Sequence, residues 1–195
     1  MTYPLVETKG STKSVDESAP YYMTAEFVTL GTKDGPALTC SEYIAKKRFS
    51  NYKVAGLPSF EEGAKRVKTG WARALLVPNA YPLIDTFYMD EDLIPRETFL
   101  ADIPALGLVK NDKSSKVIDK FYYHPATLSL LPKLFETVDT PIEASSNVKA
   151  YTSMLEGGQL DACMTNALVA QHYGQELHRV LRAAKPMGWT VFERA

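Results

Sequence analysis

The amino-acid sequence predicts an α/β protein in which two βα lobes surround a central cleft. Short β-branched runs alternate with helical patterns in two series, over residues 25–78 and 115–194. This alternation is typical of parallel strands whose connecting helices cover the faces of a sheet. Between the two series, residues 98–110 read as a long extended stretch interrupted by Pro104. Such a stretch is expected of a strand that crosses from one lobe to the other.

The first series predicts three strands and two helices. The strands are expected at residues 25–31, 52–57 and 72–78, and the helices at 40–49 and 59–70. Ser59 can cap the second helix, and Gly70 suits its C-terminal end. The resulting β-α-β-α-β order implies parallel strands with helices on both faces of the sheet.

The second series predicts further strands and helices and completes the domain assignment. The strands are expected at residues 115–123, 141–144, 159–165, 176–183 and 188–194, and the helices at 124–138, 146–157 and 166–173. We assign residues 24–103 plus 185–195 to the first lobe and 104–184 to the second. Residues 1–23 are polar and are expected to form a flexible leader.

Composition narrows the class of protein. The chain has 195 residues, of which 45% are hydrophobic and 23% charged, as in soluble globular proteins. A net charge of −1 gives no basic surface for nucleic acid or a membrane. Cys40, Cys163 and the three histidines show no close pairing in the sequence, so neither a metal site, a cofactor nor a disulfide is implied. The absence of a signal-peptide pattern or long apolar run predicts a cytoplasmic protein.

Candidate site residues lie where predicted strands give way to helices, since α/β sheets bind ligands outside the carboxyl ends of their strands. Hydroxyl side chains stand at four such positions, namely Thr39, Ser41, Ser146 and Thr165. Each can be an N-cap, a ligand contact, or both, because a cap also directs backbone N–H groups into the cleft. This pattern favours a small anionic ligand. His124 opens another predicted helix, either as a solvated cap or as a partner for a carboxylate.

Five ordered motifs resemble the prephenate dehydratase catalytic domain. The sequence GPALTCSEYIA at 35–45 resembles that family's Gly-Pro-x-Gly-Thr-aromatic-Ser motif, with Leu38 in place of the second glycine. Residues 59–81 resemble its helix–strand unit ending in Val-Pro, and KFYYHPATL at 120–128 its Ser-His-Pro segment. ASSNVKA at 144–150 is similar to its small-residue helix start, and GWTVF at 188–192 to its Thr-Arg-Phe segment. The resemblance implies the bilobed type II periplasmic-binding-protein fold.

The departures from the family motifs imply a different reaction. Thr190 matches the family's catalytic threonine, but Val191 replaces the neighbouring arginine. The family's Asn-Ser pair after Val-Pro is also lost, where this chain has Tyr81-Pro82. This pattern resembles the short, non-aromatising prephenate decarboxylases of bacilysin- and aeruginosin-type antibiotic biosynthesis. The chain ends where dehydratases continue into a phenylalanine-sensing domain, so feedback regulation is not expected.

The resemblance implies a carboxy-lyase that acts on prephenate, with a homodimer as a possible assembly. Tyr81 and Thr190 are expected to shape the ring pocket as catalytic residues, although Tyr81 and Tyr88 can instead be core aromatics. The expected substrate-binding residues are Thr39, Cys40, Ser41, Asn79, His124, Ser145, Ser146, Asn147 and Thr165. Two alternatives stay open: a prephenate dehydratase, because Thr190 is retained, and a non-catalytic protein that binds small anions, because this fold often only binds ligands.

Overall fold

Two five-stranded sheets form the two lobes of the protein. The structure is a computed structural model that describes residues 25–32 and 36–195, so the predicted leader at 1–23 lies outside the described residues. The first sheet consists of β1 (Ala25–Leu30), β2 (Val54–Leu57), β3 (Ala72–Pro78), β4 (Leu93–Ile103) and β10 (Lys185–Arg194). Its strand order is β2-β1-β3-β10-β4. Its helices are α1 (Cys40–Arg48), α2 (Phe60–Lys68) and α3 (Ile84–Tyr88).

The second sheet has the strand order β7-β6-β8-β5-β9. These strands are β5 (Leu106–Lys110), β6 (Val117–Tyr123), β7 (Thr137–Glu143), β8 (Ala162–Asn166) and β9 (Arg179–Arg182). A 3-10 helix (Pro125–Lys133), α4 (Asn147–Leu155) and α5 (Ala167–His172) complete this lobe. The two sheets therefore reproduce the bilobed α/β architecture that the sequence predicts.

The strand directions are mixed in both sheets. Strands β1, β2 and β3 run parallel, as do β6, β7 and β8. The parallel arrangement predicted for the first three strands is therefore confirmed, whereas the strands next to the crossovers reverse direction: β10 is antiparallel to β3 and β4, and β5 is antiparallel to β8 and β9. The chain passes between the sheets at residues 104–105 and 183–184. The carboxyl ends of the parallel strands consequently lie on the side of each sheet where the chain crosses to the other lobe.

Helix α2 shows how local sequence and packing agree. Ser59 caps it by accepting a 3.1 Å hydrogen bond from the Glu62 amide, and Gly70 ends the segment with a φ of 75°. The buried side of the helix carries Phe60, Gly63, Ala64 and Val67, at helical spacing. A Cβ on Gly63 would meet Leu75 of β3 at 2.6 Å, so only glycine allows this close approach.

Both faces of the first sheet are covered by apolar clusters. One face packs beneath α1 and includes Phe27, Trp189 and Val191. The other packs beneath α2 and α3 and includes Val28 and Phe192. Each large side chain that is fully buried in this way contributes roughly 1.5–3 kcal/mol to stability. Successive residues of β10 therefore point to opposite sides of the sheet. Thr190, between Trp189 and Val191, points to the side covered by α2 and α3.

The observed elements depart from the prediction in several places. The predicted helix at 124–138 is a 3-10 helix that contains Pro132, and Val138 already belongs to β7. A proline inside a helix removes a hydrogen-bond donor and clashes with the preceding turn, which prevents a regular α-helix here. Strand β7 is longer than predicted, and the short helix α3 was missed, since it has no side-chain cap to mark it. None of the helices in the described part of the chain is long and apolar enough to cross a membrane.

Candidate functional site

The segment at residues 36–39, which leads into α1, contacts the second lobe and brings the predicted binding segments together. Leu38 is 7% exposed and packs in the apolar cluster of the second lobe, which includes Ala144 and Ala150. Its main-chain oxygen accepts a 2.9 Å hydrogen bond from the Asn166 side-chain amide. The position that holds glycine in the family motif therefore carries a side chain that fills space between the lobes. As a result, the start of α1 lies beside the segment that leads into α4.

At the start of α1, Thr39 is the N-cap and Ser41 is not. The Thr39 hydroxyl accepts from the Glu42 amide at 3.1 Å and donates to the Leu30 carbonyl at 2.7 Å. Ser41 is buried and is the second residue of α1, so the prediction that it is an N-cap is wrong. The main-chain oxygen of Thr39 accepts a hydrogen bond from the Tyr43 amide. Helix geometry therefore leaves the amides of Cys40 and Ser41 without an intrahelical acceptor.

Cys40, the first residue of α1, is a protonated thiol at neutral pH. Burial raises the pKa of Cys40 to about 11, while the positive charge of Arg182 opposes that rise. The thiol is consequently a poor nucleophile and a weak hydrogen-bond donor. Arg182, the last residue of β9, is the positively charged residue whose field acts on this thiol.

The start of α4 supplies the opposite group of predicted residues. Ser146 is the N-cap and accepts a 3.0 Å hydrogen bond from the Lys149 amide, while Ser145 is exposed just before it. Thr165 donates to the main-chain oxygen of Asn147 at 3.0 Å. It lies within β8 and is not a helix cap, because Asn166 caps α5. In the part of the chain that the structure describes, the buried side-chain oxygen of Asn147 has no hydrogen-bond donor.

His124 caps the 3-10 helix and keeps one ring nitrogen for another partner. Its Nδ1 accepts a 3.2 Å hydrogen bond from the Ala126 amide, which places the proton of the neutral ring on Nε2. Burial lowers the pKa of His124, so the ring stays neutral at physiological pH. The cap interpretation is therefore correct for Nδ1. Nε2 remains a neutral donor at the edge of the sheet where β6 ends.

Thr190 is fully buried and its hydroxyl is saturated. It donates to the side-chain oxygen of Asn79 at 2.8 Å, and the hydroxyls of Tyr88 and Thr98 lie at 2.8 Å and 3.1 Å. A threonine hydroxyl has one proton and two lone pairs. With its proton directed to Asn79, both lone pairs accept from Tyr88 and Thr98. Thr190, which is 0% exposed, thus has no hydrogen-bonding capacity left for a ligand.

Two aromatic residues near this cluster behave differently from each other. Tyr88 is 40% exposed and its hydroxyl contacts Thr190, so it is not a simple core aromatic. Tyr81 packs its ring on Phe60 and donates its hydroxyl to Glu61 at 2.5 Å. Burial, together with the hydrogen bond and the charge of Glu61, raises the pKa of Tyr81 to about 12. The Tyr81 hydroxyl therefore holds its proton and points to the start of α2.

The predicted residues fall into two groups. Loops at the lobe boundary bring together the starts of α1 and α4, whereas Thr190 and Tyr81 lie on the face of the first sheet covered by α2 and α3. Asn79 is exposed and lies between β3 and α3. Its main-chain N–H donates a 2.8 Å hydrogen bond to the Gly188 carbonyl. The sequence interpretation did not consider Arg182. This residue stands at the end of a strand that leads into a crossover, which is the kind of position where α/β sheets bind ligands.

Two other features of the described residues bear on the site. No three His, Cys, Asp or Glu side chains within residues 25–32 and 36–195 converge as a metal site requires. A cavity of about 240 Å³ lies elsewhere, beneath the 3-10 helix, and is lined by Leu131, Leu134, Glu136, Val138 and Pro141. It contains none of the predicted site residues.

Proteins similar in sequence are prephenate decarboxylases. One from Bacillus amyloliquefaciens is 27% identical in an alignment of 192 positions that covers 92% of this chain and 93% of the relative. Another, from Bacillus subtilis strain 168, is 29% identical in an alignment of 200 positions that covers 96% of this chain and 92% of the relative. No protein-family model matches the chain.

Solved structures show the fold. Prephenate dehydratase from Arthrobacter aurescens, in complex with L-Phe, superimposes with a TM-score of 0.61 at 16% identity over 87% of this chain. This chain spans 60% of that protein, less than two thirds of its length. A periplasmic substrate-binding protein of an ABC transporter from Coxiella burnetii has a TM-score of 0.52 at 12% identity, over 86% of this chain and 83% of its own. The bilobed periplasmic-binding-protein-like fold is thereby confirmed.

The resemblance to the prephenate dehydratase-like family, which the ordered motifs predicted, is therefore confirmed both in sequence, over nearly the whole chain, and in fold.

Proposed function

We propose that this protein is a carboxy-lyase that decarboxylates prephenate without aromatising it, giving a dihydro-4-hydroxyphenylpyruvate. The general activity is supported by relatives that carry the name prephenate decarboxylase and align over nearly the whole chain. By the same proposal it works in the cytoplasm and serves a natural-product pathway, since a non-aromatic product has no place in making phenylalanine.

The fate of the ring hydroxyl decides the product. When the C–C bond to the ring carboxylate breaks, carbon dioxide leaves and its electron pair moves into the cyclohexadiene. If an acid protonates the hydroxyl across the ring, water leaves and the ring aromatises to phenylpyruvate. If no acid reaches that oxygen, protonation of a ring carbon accepts the electron pair, and the hydroxyl survives. A general acid typically accelerates such a step by roughly 10²–10⁴-fold, so withholding it is enough to change the product.

The single observation that carries the non-aromatising proposal is the saturated hydroxyl of Thr190. This residue stands where the family motif has its catalytic threonine, yet Asn79, Tyr88 and Thr98 occupy all its hydrogen-bonding positions. Donating a proton to a substrate would require breaking the partly buried bond to Asn79. Losing a hydrogen bond of this kind costs about 0.5–1.5 kcal/mol. In this proposal Thr190 organises the pocket wall and does not act as an acid.

The replacement of arginine by Val191 supports the same product. Val191 is buried in the apolar cluster beneath α1, on the opposite side of β10 from the Thr190 hydroxyl. A valine there supplies no cation to stabilise a departing hydroxide. Tyr81 adds no acid either, because its raised pKa and its bond to Glu61 keep the proton in place.

Binding of the substrate is assigned in this proposal to the lobe boundary. Prephenate carries two carboxylates, and the free amides at the starts of α1 and α4 suit anions. Thr39 and Ser146 hold these helix starts in shape, and Cys40, Ser41, Ser145 and Asn147 surround them. His124 contributes the neutral Nε2–H donor, and Thr165 supports the backbone of Asn147.

Product identification tests the proposal directly. Purified protein is incubated with prephenate at neutral pH while proton NMR follows the reaction. We expect prephenate to disappear with release of one carbon dioxide, as ring alkene signals persist and no aromatic signals arise. Direct formation of phenylpyruvate at neutral pH would show a dehydratase instead. Saturable binding of prephenate without turnover would show a small-anion binding protein.

A further inference from the structure

Arg182 stands at the cleft edge of the second sheet, in line with residues that contact the first lobe. It is the last residue of β9, and the register pairs it with Leu106 of β5. Leu106 is in turn paired with Asn166, the last residue of β8. Asn166 donates its side-chain amide to Leu38, one residue before the N-cap of α1. Arg182, Leu106 and Asn166 therefore lie in one row at neighbouring strand ends, and Asn166 contacts the segment that leads into α1.

One nitrogen of the Arg182 guanidinium has no acceptor among the described residues. Its Nη2 is buried and has no hydrogen-bond partner among residues 25–32 and 36–195. Arg179 on the same strand offers a direct contrast, because Glu136 accepts from its Nη1 at 3.2 Å and its Nη2 at 2.6 Å. A guanidinium remains charged in proteins, and burying it unpaired is unfavourable. Arg179 thus forms a structural ion pair through both Nη atoms, whereas Nη2 of Arg182 has no acceptor in the described part of the chain.

The groups around Arg182 suit a carboxylate. Cys40 is close enough for the Arg182 charge to counter the rise in its thiol pKa. The amides of Cys40 and Ser41, which have no intrahelical acceptor, open α1 at this point. A planar guanidinium binds carboxylates with two parallel hydrogen bonds, and a helix N-terminus adds favourable dipole energy. Together they form a two-sided carboxylate site that spans the lobe boundary.

The chemistry selects which of the two substrate carboxylates binds here. The ring carboxylate must lose its charge as it becomes carbon dioxide, so an ion pair to it would stabilise the ground state more than the transition state and slow the reaction. The carboxylate of the pyruvyl arm keeps its charge throughout. We propose that Arg182, with the first amides of α1, binds the pyruvyl-arm carboxylate and so selects substrates that carry this group. This inference rests on the proposed function.

Steady-state kinetics of Arg182→Met and Arg182→Lys test the assignment. For Arg182→Met we expect the KM for prephenate to rise about 10- to 100-fold, while kcat stays within about threefold. Arg182→Lys should fall between this variant and the wild type, since it keeps the charge and loses the planar fork. Arg96→Met removes an exposed arginine of β4 and is the matched control that should leave KM unchanged. An unchanged KM in Arg182→Met would overturn the inference.

Calorimetric binding separates this inference from the proposed function. Phenylpyruvate carries the pyruvyl carboxylate alone, and cyclohexanecarboxylate carries a ring carboxylate alone. We expect Arg182→Met to weaken phenylpyruvate binding by the same factor as the KM change and to leave cyclohexanecarboxylate unaffected. Weakened binding of cyclohexanecarboxylate only, or no binding of phenylpyruvate to the wild type, would overturn it. If the wild type binds phenylpyruvate through Arg182 yet leaves prephenate intact, the proposed function fails and the carboxylate site stands.

Discussion

The side-chain amide of Asn166 donates a 2.9 Å hydrogen bond to the main-chain oxygen of Leu38, joining two buried positions 128 residues apart. The same side chain accepts a 3.0 Å hydrogen bond from the Val169 amide and so caps α5. Asn166 therefore caps the N-terminus of α5 and also holds the segment before α1 against the second lobe. Because Leu38 immediately precedes Thr39, this bond fixes the position of the α1 N-terminus relative to the second sheet.

Asn166→Ala should destabilise the protein by about 2–3 kcal/mol, since it removes a helix cap and leaves a buried carbonyl without its donor. Chemical denaturation measures the loss. Ser59→Ala is the control, because Ser59 caps α2 alone, and that change should cost about 1 kcal/mol. Equal losses in the two variants would show that the bond to Leu38 contributes no stability.

Thr190→Val should keep the decarboxylase product and most of the rate. Valine has the shape of threonine, so the change removes the hydroxyl and leaves Asn79, Tyr88 and Thr98 to find other partners. We expect a stability loss of about 1–3 kcal/mol and a kcat within about tenfold of the wild type. Kinetics and product NMR check both points. A fall of 10²-fold or more in kcat, at full folding, would instead indicate that Thr190 transfers a proton.

Thr39→Ala and Ser41→Ala should separate stability from binding at the start of α1. Thr39 holds both the cap and the bond to Leu30, so its loss should cost about 1–2 kcal/mol. Ser41 is not the cap, and Ser41→Ala should change stability by less than about 1 kcal/mol while raising the KM for prephenate. Thermal unfolding and steady-state kinetics of both variants test this. A wild-type KM in Ser41→Ala would remove Ser41 from the binding site.

His124 should make stability depend on pH below its ordinary pKa of about 6.5. Because burial lowers the pKa of His124 in the folded protein, the unfolded chain binds its proton first as pH falls. The stability associated with the neutral ring is therefore complete above about pH 6.5 and is lost as pH falls through the folded pKa. The difference in unfolding free energy between wild type and His124→Gln, measured from pH 8 to pH 5, isolates this effect.

Protonation of His124 adds a proton at Nδ1 and leaves the Nε2–H donor in place with a positive charge, so the anionic substrate should bind more tightly over the same pH range if this donor is used. We expect the KM of the wild type to change with pH below 6.5 in a way that His124→Gln does not reproduce. A variant with wild-type KM at every pH would leave His124 as a helix cap alone.

Short-range sequence signals identified most of the fold. Ser59 and Ser146 cap the helices that were predicted to follow them, and β1 and β3 lie where the β-branched runs placed them. These features depend on residues a few positions apart, so they can be read along the chain. The same local reasoning failed where a tertiary contact took over: Thr165 resembled a cap, yet it lies in β8 and supports the backbone of Asn147.

The site itself was decided by contacts between distant parts of the chain. The sequence could show that Thr190 was present and that Val191 replaced an arginine. Only the packing of β10 against β3, β4 and α3 brings Asn79, 111 residues away, to the Thr190 hydroxyl. The Asn79 side-chain oxygen then accepts the proton of that hydroxyl. Likewise, the register of β9 on β5 sets Arg182 opposite Leu106, in the row of strand ends that includes Asn166. Hydrogen-bond partners and buried charges depend on which surfaces meet in three dimensions, whereas propensity and capping depend on neighbours along the chain.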